Sequence, residues 1–348
     1  MAKYRVGIIG RFAFGKNLLN GQTIKTKIVS SALADAIGEK NIHKIDSYGG
    51  VRALLRLPFQ CIIALIKCQN VIMLPAYKGI RVIAPVLAMA NLIARRRLYY
   101  VVIGGWLSSF LVNKPFLSWC LKAFDGIYVE TRTMKQQLES RGFNNVYVMP
   151  NFKNLTPITE SELVYSTKEP YRVCTFSRVM REKGIEEAVE AVRTVNAQFG
   201  RTVYMLDIYG QIDAGQADWF ETLQTDFPPE IRYMGMVPFD QSVAVLKDYF
   251  ALLFPTYYEG EGFAGTIVDA FSAGVPVIAS DWLYNGELIR SGESGALVPP
   301  KDAEALAGKL MEISRDVDEW NRMKVTCLAE AERYRPEIAI KSLFEQLA

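Results

Sequence analysis

The feature that most constrains the fold of this chain is a repeated alternation of short apolar strands with helical segments. The first half predicts strands at Tyr4–Ile9, Ile42–Ile45, Val71–Leu74, Tyr99–Ile103, Gly126–Val129 and Val146–Met149. A second series predicts strands at Arg172–Phe176, Val203–Tyr209, Ile231–Met234, Leu252–Phe254 and Val275–Ala279. Because these strands are apolar along their length and alternate with helices, each series predicts a parallel sheet covered on both faces. The predicted fold class is α/β, with two doubly wound domains.

Length and a break in this pattern predict the domain boundaries. A chain of 348 residues fits two domains of about 150 residues each better than one core. Turn formers and polar residues interrupt the alternation between Asn151 and Pro170. We predict a first domain over residues 1–155, a linker over 156–170, a second domain over 171–334, and a C-terminal helix over 335–348 that packs back on the first domain. Since doubly wound domains bind ligands at the carboxyl ends of their strands, we expect a cleft between them.

The cysteines and the single histidine limit the kinds of site that the chain can be expected to contain. The five cysteines are scattered, and none has C-x-x-C spacing, which favours a reducing compartment over a disulfide framework or a metal site. His43 is the single histidine, so neither a metal cluster nor nucleophilic catalysis is expected. The sequence begins in a strand without a signal peptide, and its longest apolar run, residues 82–94, is shorter than a membrane span. We therefore expect a cytoplasmic protein.

Charge is distributed unevenly. Residues 1–150 contain 21 Lys and Arg against 6 Asp and Glu, whereas the remainder contains 19 against 31. Such asymmetry calls for an anionic partner of the first half, either nucleic acid or an anionic membrane face. Arg52, Arg56 and Lys67 edge one apolar helical segment, and Arg95–Arg97 follow another. Buried helices with solvated ends would explain these segments too, but the absence of acidic residues from 51 to 100 favours the membrane.

The stretch from Phe254 to Pro300 contains the most specific candidate site. It predicts a buried strand, a glycine-rich loop at 259–262, a helix over about 264–272 and a second strand. This order directs backbone N–H groups at the helix N-terminus towards a bound anion. Glu261 and Asp269 lie eight positions apart across the loop and helix. The alternative is that both carboxylates only complement the helix dipole.

Two further segments are candidates for anion binding. Arg178 and Lys183, in SRVMREKG, follow the first strand of the second series and precede a helix, an arrangement that suits a diphosphate. A solvated basic loop is the alternative. The N-terminal loop lacks G-x-G-x-x-G, but Asn20-Gly21 precedes a helix and permits a close approach of backbone to phosphate, unless it is a plain turn.

These residues resemble a known family. EGFAGTIVDAFSAGVPVIASD and GELIRSGESGALVPPKDAEALAGKL resemble the C-terminal domain of retaining GT-B glycosyltransferases of family 4, the group 1 type, as found in bacterial surface-polysaccharide pathways. SRVMREKGIEEAVEAV resembles the family's diphosphate-binding segment, RYMGMVP its next strand and loop, VYVMPNF the strand leading to its inter-domain linker, and NGQTIKTKIVSSAL its first loop and helix. The resemblance implies the GT-B fold, in which two Rossmann-like domains face each other across a cleft.

The resemblance also implies roles for the candidate residues. Arg178 and Lys183 would neutralise the donor diphosphate, and Glu261, the first carboxylate of the E-x7-E motif, would lie near the transferred sugar. Asp269 stands where the family has a second Glu that binds the ribose. Donor-binding positions are also implied at Gly21, Val237, Gly262, Phe263, Ala264 and Gly265. The chain departs from the family at Asp269, one methylene shorter than Glu, and at residues 104–106, where a histidine is usual.

The function implied by the resemblance is a retaining, metal-independent and cofactor-free transfer of a sugar from a nucleotide donor, expected to be a UDP-sugar. The acceptor would be a saccharide or lipid-linked saccharide, handled on the inner face of the cell membrane, with no nucleic acid involved. Two alternatives remain open: a catalytically altered binding protein of the same fold, and a GT-B nucleotide-sugar epimerase. Salt-dependent DNA retention would identify a nucleic-acid binder.

Overall fold

A computed structural model describes residues 2–16 and 21–347. The chain divides into two compact units. The first unit contains the chain up to Asn151 together with the segment from Pro336 onward, and the second unit runs from Phe152 to Arg335.

The first unit alternates strands and helices as the sequence predicts. Its elements up to residue 151 are β1 (Tyr4–Gly10), α1 (Gly21–Ile37), β2 (Ile42–Asp46), α2 (Gly50–Lys67), β3 (Cys68–Met73), α3 (Tyr77–Ala94), β4 (Arg97–Val101), α4 (Leu107–Phe110), α5 (Pro115–Lys122), β5 (Gly126–Val129), α6 (Arg132–Glu139) and β6 (Val146–Val148). The strands form one parallel sheet in the order β2-β1-β3-β4-β5-β6. The chain reverses direction across the sheet beside β1, which places a switch point between β1 and β3.

The second unit repeats this plan. Its elements are β7 (Tyr171–Phe176), α7 (Ile185–Phe199), β8 (Tyr204–Tyr209), α8 (Ala217–Thr225), β9 (Ile231–Gly235), α9 (Ser242–Leu246), β10 (Ala251–Phe254), α10 (Gly265–Ser272), β11 (Val277–Ser280), α11 (Asn285–Leu288), β12 (Gly295–Val298), α12 (Ala303–Arg315) and α13 (Val317–Glu332). The parallel sheet has the order β12-β11-β10-β7-β8-β9, so β7 and β10 are neighbours although 74 residues lie between them. The predicted α/β class with a doubly wound sheet in each domain is confirmed.

The core of the second unit lies on both faces of its sheet. Val173 belongs to one apolar cluster and Cys174, the next residue, to another. Leu253 and Leu252 divide between the same two clusters. Because successive side chains of a strand point to opposite faces, the central strands β7 and β10 supply both clusters, and helices cover the two faces. This is why β10 is apolar along its whole length.

The last helices of the chain, α14 (Pro336–Ala339) and α15 (Lys341–Leu347), pack within the first unit. The carbonyl of Gln346 accepts hydrogen bonds from Tyr99 Oη at 2.7 Å and from Arg97 Nη1 at 3.0 Å. Leu343 is fully buried. The terminal segment is therefore part of the first unit's structure rather than a free tail.

Residues 156–170, which the sequence analysis predicts as the linker, fall within the second unit and pack against its helices. The Ile158 N–H donates to the Ser272 carbonyl at 2.9 Å, and Asn321 Nδ2 donates to the Ser166 carbonyl at 2.8 Å. The sequence analysis also missed β12, a strand of four residues that pairs with β11. Its flanking Gly, Ser and Pro residues suggest turns, so only the pairing partner reveals the strand.

The apolar length of helix α3 also differs from the sequence-based expectation. Within residues 2–16 and 21–347, this helix alone is long and apolar enough to cross a membrane by length and composition, whereas the sequence analysis expected no such segment. Its inner face, including Ile83 and Leu87, is buried in the first unit, yet only 28% of its residues are buried overall. Apolar packing on one side explains part of its hydropathy, and a largely exposed outer side remains.

Candidate functional site

The site of the second unit begins where β7 ends and α7 starts. A short 3-10 turn, Arg181–Lys183, leads into Gly184, which adopts φ 74° as the residue before α7. A Cβ atom on Gly184 would lie 2.2 Å from the Pro255 carbonyl oxygen, so only glycine permits this close approach. The approach brings the loop after β7 directly against the loop after β10.

Lys183 and Glu261 form an ion pair at this junction. Lys183 Nζ donates to Glu261 Oε2, and each side chain is only 12% exposed. The ammonium also lies 5.1 Å from the ring centre of Tyr258 and 5.4 Å from that of Phe254. The sequence predicted the two charges as parts of separate motifs, and neighbouring parallel strands bring them together.

Thr256 holds the carboxylate in place. Its hydroxyl, on a fully buried side chain, lies 3.1 Å from Glu261 Oε2 and 3.1 Å from the Glu182 carbonyl oxygen. The Tyr257 N–H donates to the same carbonyl at 2.8 Å, and Ser280 Oγ donates to the Thr256 carbonyl. Glu261 is therefore positioned by a hydrogen-bonded loop rather than extended into solvent. The sequence analysis missed Thr256, for which its place two residues after the end of β10 was the available signal.

The N-terminus of α10 presents backbone to the same region. Ala264 is its N-cap and provides no side-chain cap, so first-turn N–H groups have no side-chain acceptor at the cap. Gly262 and Gly265 are partly exposed, whereas Phe263 and Ala264 are buried in the unit's core. Thr266 Oγ1 donates to the Phe176 carbonyl at 2.7 Å, which fixes the helix start at the end of β7. A cation, a carboxylate and a helix N-terminus thus lie together at the carboxyl ends of the strands of this sheet.

Asp269 lies in the second turn of α10 and is 1% exposed. Lys153 Nζ forms an ion pair with Asp269 Oδ2, and Ser242 Oγ donates to Oδ1 at 2.9 Å. Both carboxylate oxygens are therefore engaged by the protein itself. The sequence analysis did not single out Lys153 or Ser242, because nothing in their local sequence marks them as partners of a carboxylate 116 residues away from Lys153.

The remaining predicted positions are distributed as follows. Arg178 is exposed at the end of β7 and contacts Asp213 Oδ2 at 3.3 Å. Val237 is half-buried after β9 and packs against the core cluster that contains Phe263 and Ala264. Gly21 is the first residue of α1 in the first unit and is exposed, while Asn20 lies outside the described residues. Gly21 belongs to the first unit, whereas the other predicted positions belong to the second.

Titration and metal binding add two observations. Burial, reinforced by nearby Glu187, Glu186 and Glu182, raises the pKa of Tyr257 to about 12, so this phenol stays protonated at neutral pH. In residues 2–16 and 21–347, no cluster of three or more His, Cys, Asp or Glu side chains is arranged to hold a metal ion. Lys183, Arg178 and the backbone N–H groups at the start of α10 are the groups available to meet an anion at the carboxyl ends of these strands.

The fold matches that of known glycosyltransferases. The chain superposes with a TM-score of 0.73 on a crystal structure of Anabaena Alr3699/HepE in complex with UDP, covering 98% of this chain and 99% of that one at 14% identity. Sucrose-phosphate synthase from Thermosynechococcus elongatus gives a TM-score of 0.71, with 98% of both chains covered at 18% identity. At such low identity the likeness shows the fold alone, and that fold is GT-B.

Sequence comparison identifies the second unit more closely. Residues 170–316 match the model of the family described as glycosyl transferases group 1, so this part of the chain is a group 1 glycosyltransferase domain. A putative colanic acid biosynthesis glycosyltransferase, WcaL, from Salmonella typhimurium is 30% identical over 155 residues, which cover 42% of this chain and 36% of that protein. The amylovoran biosynthesis glycosyltransferase AmsK from Erwinia amylovora is 28% identical over 186 residues, which cover 51% and 45%. The chain thus matches less than half the length of these curated relatives.

Proposed function

We propose that this protein is a retaining glycosyltransferase of surface-polysaccharide synthesis. It would move a sugar from a nucleoside-diphosphate donor, with uridine as the expected base, to a hydroxyl of a saccharide or lipid-linked saccharide. The Lys183–Glu261 ion pair beside the N-terminus of α10 carries the proposal. The group 1 domain, and the similarity to WcaL and AmsK of colanic acid and amylovoran biosynthesis, support the reaction class. The UDP bound in the similar Alr3699/HepE structure supports the choice of base.

The proposed chemistry is the one that the resemblance to retaining group 1 glycosyltransferases implies, and the charges at the site support it. The anomeric C–O bond of the donor breaks, and its electron pair leaves with the diphosphate. Lys183, Arg178 and the helix N-terminus stabilise that leaving group without a metal. Glu261 stabilises and orients the positively charged sugar. The acceptor oxygen attacks from the same face, which retains the anomeric configuration, and its proton passes to an oxygen of the leaving phosphate.

We further propose that Gly262–Gly265 contact the donor sugar and phosphate, that Val237 meets the base, and that Gly21 approaches the diphosphate. Asp269 would act on the ribose side. Because Lys153 and Ser242 already engage its two oxygens, its contact to a ribose would be shared with or mediated by these partners. The same observation favours one alternative, a protein of this fold that binds nucleotide sugars without transferring them.

The proposed setting is the cytoplasmic face of the cell membrane, where a lipid-linked acceptor is presented. Neither a metal nor another cofactor is proposed, and the cations of the site take over charge neutralisation. Nucleic acid is not proposed as a partner.

A donor panel with a matched pair of variants tests this function. The protein is incubated with nucleotide sugars, with and without saccharide acceptors, and the released nucleoside diphosphate and products are identified by mass spectrometry. Glu261→Gln should lower kcat by about 10²-fold or more, because a group acting on the charged transition state is removed. Glu259→Gln, an exposed carboxylate two positions away, should leave kcat within about twofold.

The outcomes separate the candidates. Transfer with retained configuration that Glu261→Gln abolishes supports the proposal, whereas unchanged transfer in Glu261→Gln refutes the role of this residue. Nucleotide-sugar binding without transfer or hydrolysis for any donor would favour the binding protein.

A further inference from the structure

The first unit carries an extensive exposed apolar surface that the proposed chemistry does not use. Among the described residues from 55 to 119, twelve large apolar side chains on or beside α2, α3 and α5 are exposed, including Phe59, Ile62, Ile66, Ile93 and Trp119. Ile93 is 89% exposed and Phe59 is 70% exposed. Exposed apolar patches of this extent mark an interaction site. We call the outer surfaces of α2, α3 and α5 the apolar face.

Helix α2 is apolar on two sides, and only one of them is explained by the fold. Leu57, Cys61 and Ala64 are buried in the unit. The exposed apolar residues 55, 59, 62, 63 and 66 follow helical spacing and form a separate stripe on the outside. A helix that only covers a sheet needs a polar outer side, so the outer stripe indicates a second apolar environment.

Contacts between the helices show that the exposed residues lie on one side. Ile62 and Ile66 of α2 and Ile93 of α3 line the same groove, which has a volume of about 430 Å³. Helix α3 also packs against α5, where Phe116 and Trp119 stack with ring centres 6.2 Å apart. The three helices therefore pack side by side, and an open apolar groove lies between α2 and α3.

Cations frame this surface at both ends. Helix α2 joins β2 to β3 and helix α3 joins β3 to β4, and because all of these strands are parallel in one sheet the two helices run in the same direction. Exposed Arg56 and Arg81 lie in the N-terminal halves of α2 and α3, and exposed Lys67 and Arg95 lie at their C-terminal ends. The side chain of Arg52, which the sequence analysis placed with them, lies outside the described residues.

The charge of this region favours one kind of partner. The sequence contains ten Lys and Arg and no Asp or Glu between Asp46 and Asp125. A symmetric contact between two copies would place these cations opposite one another and is disfavoured by like-charge repulsion. An anionic bilayer satisfies both requirements, because its hydrocarbon accepts the apolar side chains and its headgroups accept the cations.

We propose that the apolar face docks on an anionic lipid bilayer, with Ile93, Phe59 and Trp119 inserted below the headgroups and Arg56, Lys67 and Arg95 at the headgroup level. The groove between α2 and α3 accommodates lipid chains. This proposal rests on the proposed function only for its purpose, which is to bring the protein to a lipid-linked acceptor. The docking itself requires no sugar transfer.

Binding of the full chain to vesicles tests the proposal. Phosphatidylcholine vesicles containing phosphatidylglycerol should pellet the protein, pure phosphatidylcholine should not, and added salt should weaken binding. Trp119 should be quenched by brominated lipid chains, and Trp119→Phe should remove that component. Equal binding to both vesicles, no binding, or no Trp119 quenching would overturn the proposal.

Matched variants locate the docking surface. Ile93→Glu should weaken binding by at least about tenfold, because a carboxylate would enter the hydrocarbon region. Ile338→Glu, which alters an exposed apolar residue of α14, should change binding less than about twofold. Arg56→Glu with Arg95→Glu should cost at least about tenfold, whereas Arg315→Glu with Arg322→Glu, the same change in net charge on the second unit, should cost far less.

Two measurements distinguish loss of docking from misfolding and from loss of the site. Circular dichroism should show the variants folded, since the altered side chains are exposed. Binding of UDP should be unchanged in Ile93→Glu, so loss of docking and failure of the proposed reaction remain distinguishable. If Ile93→Glu instead converted a dimer to a monomer without affecting vesicle binding, the face would be a subunit interface and the proposal would be wrong.

Discussion

At Asp269 a buried carboxylate on a helix has both of its oxygens engaged, one by Lys153 and the other by Ser242. An ionised carboxylate inside a protein is costly unless it is paired and hydrogen-bonded. Lys153 and Ser242 meet that need, with Lys153 partly open to solvent. In this chain Asp269 and Lys153 act as a pair. The effect of substituting one of them should therefore depend on whether the other is present.

Removing Lys153 should therefore destabilise the second unit. Lys153→Met removes the cation beside Asp269 and leaves the Ser242 hydroxyl as a donor, so we expect a loss of at least about 2 kcal/mol in the free energy of unfolding. The partial exposure of the lysine reduces this loss from the full cost of a broken buried pair. Urea unfolding measures the change. Lys168→Met, an exposed control, should be within about 0.5 kcal/mol of wild type.

A double-variant cycle makes this prediction specific. Adding Asp269→Asn to Lys153→Met should recover part of the loss, because the unpaired charge disappears. If the two substitutions are simply additive, the pair does not stabilise the fold as we infer.

The sequence singled out individual residues of the candidate site, but it did not predict which of them contact one another. The sequence indicated Lys183 and Glu261 separately, because each follows an apolar strand and precedes a helix. Their contact depends on β7 and β10 being neighbours, which is a property of strand order. Lys153 could not be predicted, because its role depends on the direction of one side chain across packed elements.

At the scale of elements, the start of α7 depends on how closely two loops approach. Gly184→Ala would place a methyl group against the Pro255 carbonyl and also strain a φ of 74°. Gly200, at the end of the same helix, has φ 62° but open space within 4 Å of the point where a Cβ would lie. Both substitutions cost about 1–2 kcal/mol for the left-handed conformation, and only Gly184→Ala adds a backbone clash.

We therefore expect Gly184→Ala to destabilise the protein by at least about 2 kcal/mol more than Gly200→Ala, and to impair donor binding because the loop carrying Lys183 must move. Urea midpoints and UDP titration check the two effects. Equal destabilisation by the two substitutions would show that the loops can separate at little cost.

A buried lysine of helix α13 is hydrogen-bonded to the loops that lead into β10 and β11. Lys324 Nζ donates to the Tyr249 carbonyl at 3.0 Å and the Gly274 carbonyl at 3.4 Å. Burial lowers the pKa of Lys324 to about 8, against opposing contributions from Cys327 and Asp248. Between this value and the ordinary pKa of 10.5, the unfolded chain binds more protons at this site than the folded chain.

This difference predicts that Lys324 makes the second unit more stable as pH rises from about 8 to 10.5. Lys324→Met should lack that contribution, so the stability difference between wild type and variant should change with pH across this window. Urea unfolding followed by tryptophan fluorescence at several pH values measures it. A difference that stays constant from about pH 8 to 10.5 would contradict the shifted pKa.

Element boundaries show where sequence patterns suffice. Gly126–Val129 is a strand in both prediction and structure, because a short apolar run lies between clear helical segments. β12 was missed, because its four residues lie among turn-forming residues and are identified by pairing with β11. Apolar periodicity therefore predicts interior strands, whereas an edge strand depends on the sheet that receives it.

At the scale of the whole molecule, the first unit is discontinuous in sequence. Leu343 is fully buried there, so Leu343→Ala should lower the free energy of unfolding by about 2–5 kcal/mol. Hydrogen exchange should show the loss of protection in β4, β5 and β6, and not in the second unit. Ile338→Ala, which truncates an exposed side chain of the same segment, should have little effect. Uniform loss of protection in both units would mean that they unfold as one.

The return of residues 336–347 to the first unit has a consequence for synthesis on the ribosome. The second unit lies wholly inside the interval between the two parts of the first, so all its residues leave the exit tunnel before α15 does. While the whole second unit is translated, the first sheet therefore remains without the last helix of its unit. During this time Tyr99 and Arg97 cannot donate to the Gln346 carbonyl. The first unit therefore begins to emerge before the second unit but is completed after it. Its nascent part is exposed to chaperones for longer than any other part of the chain.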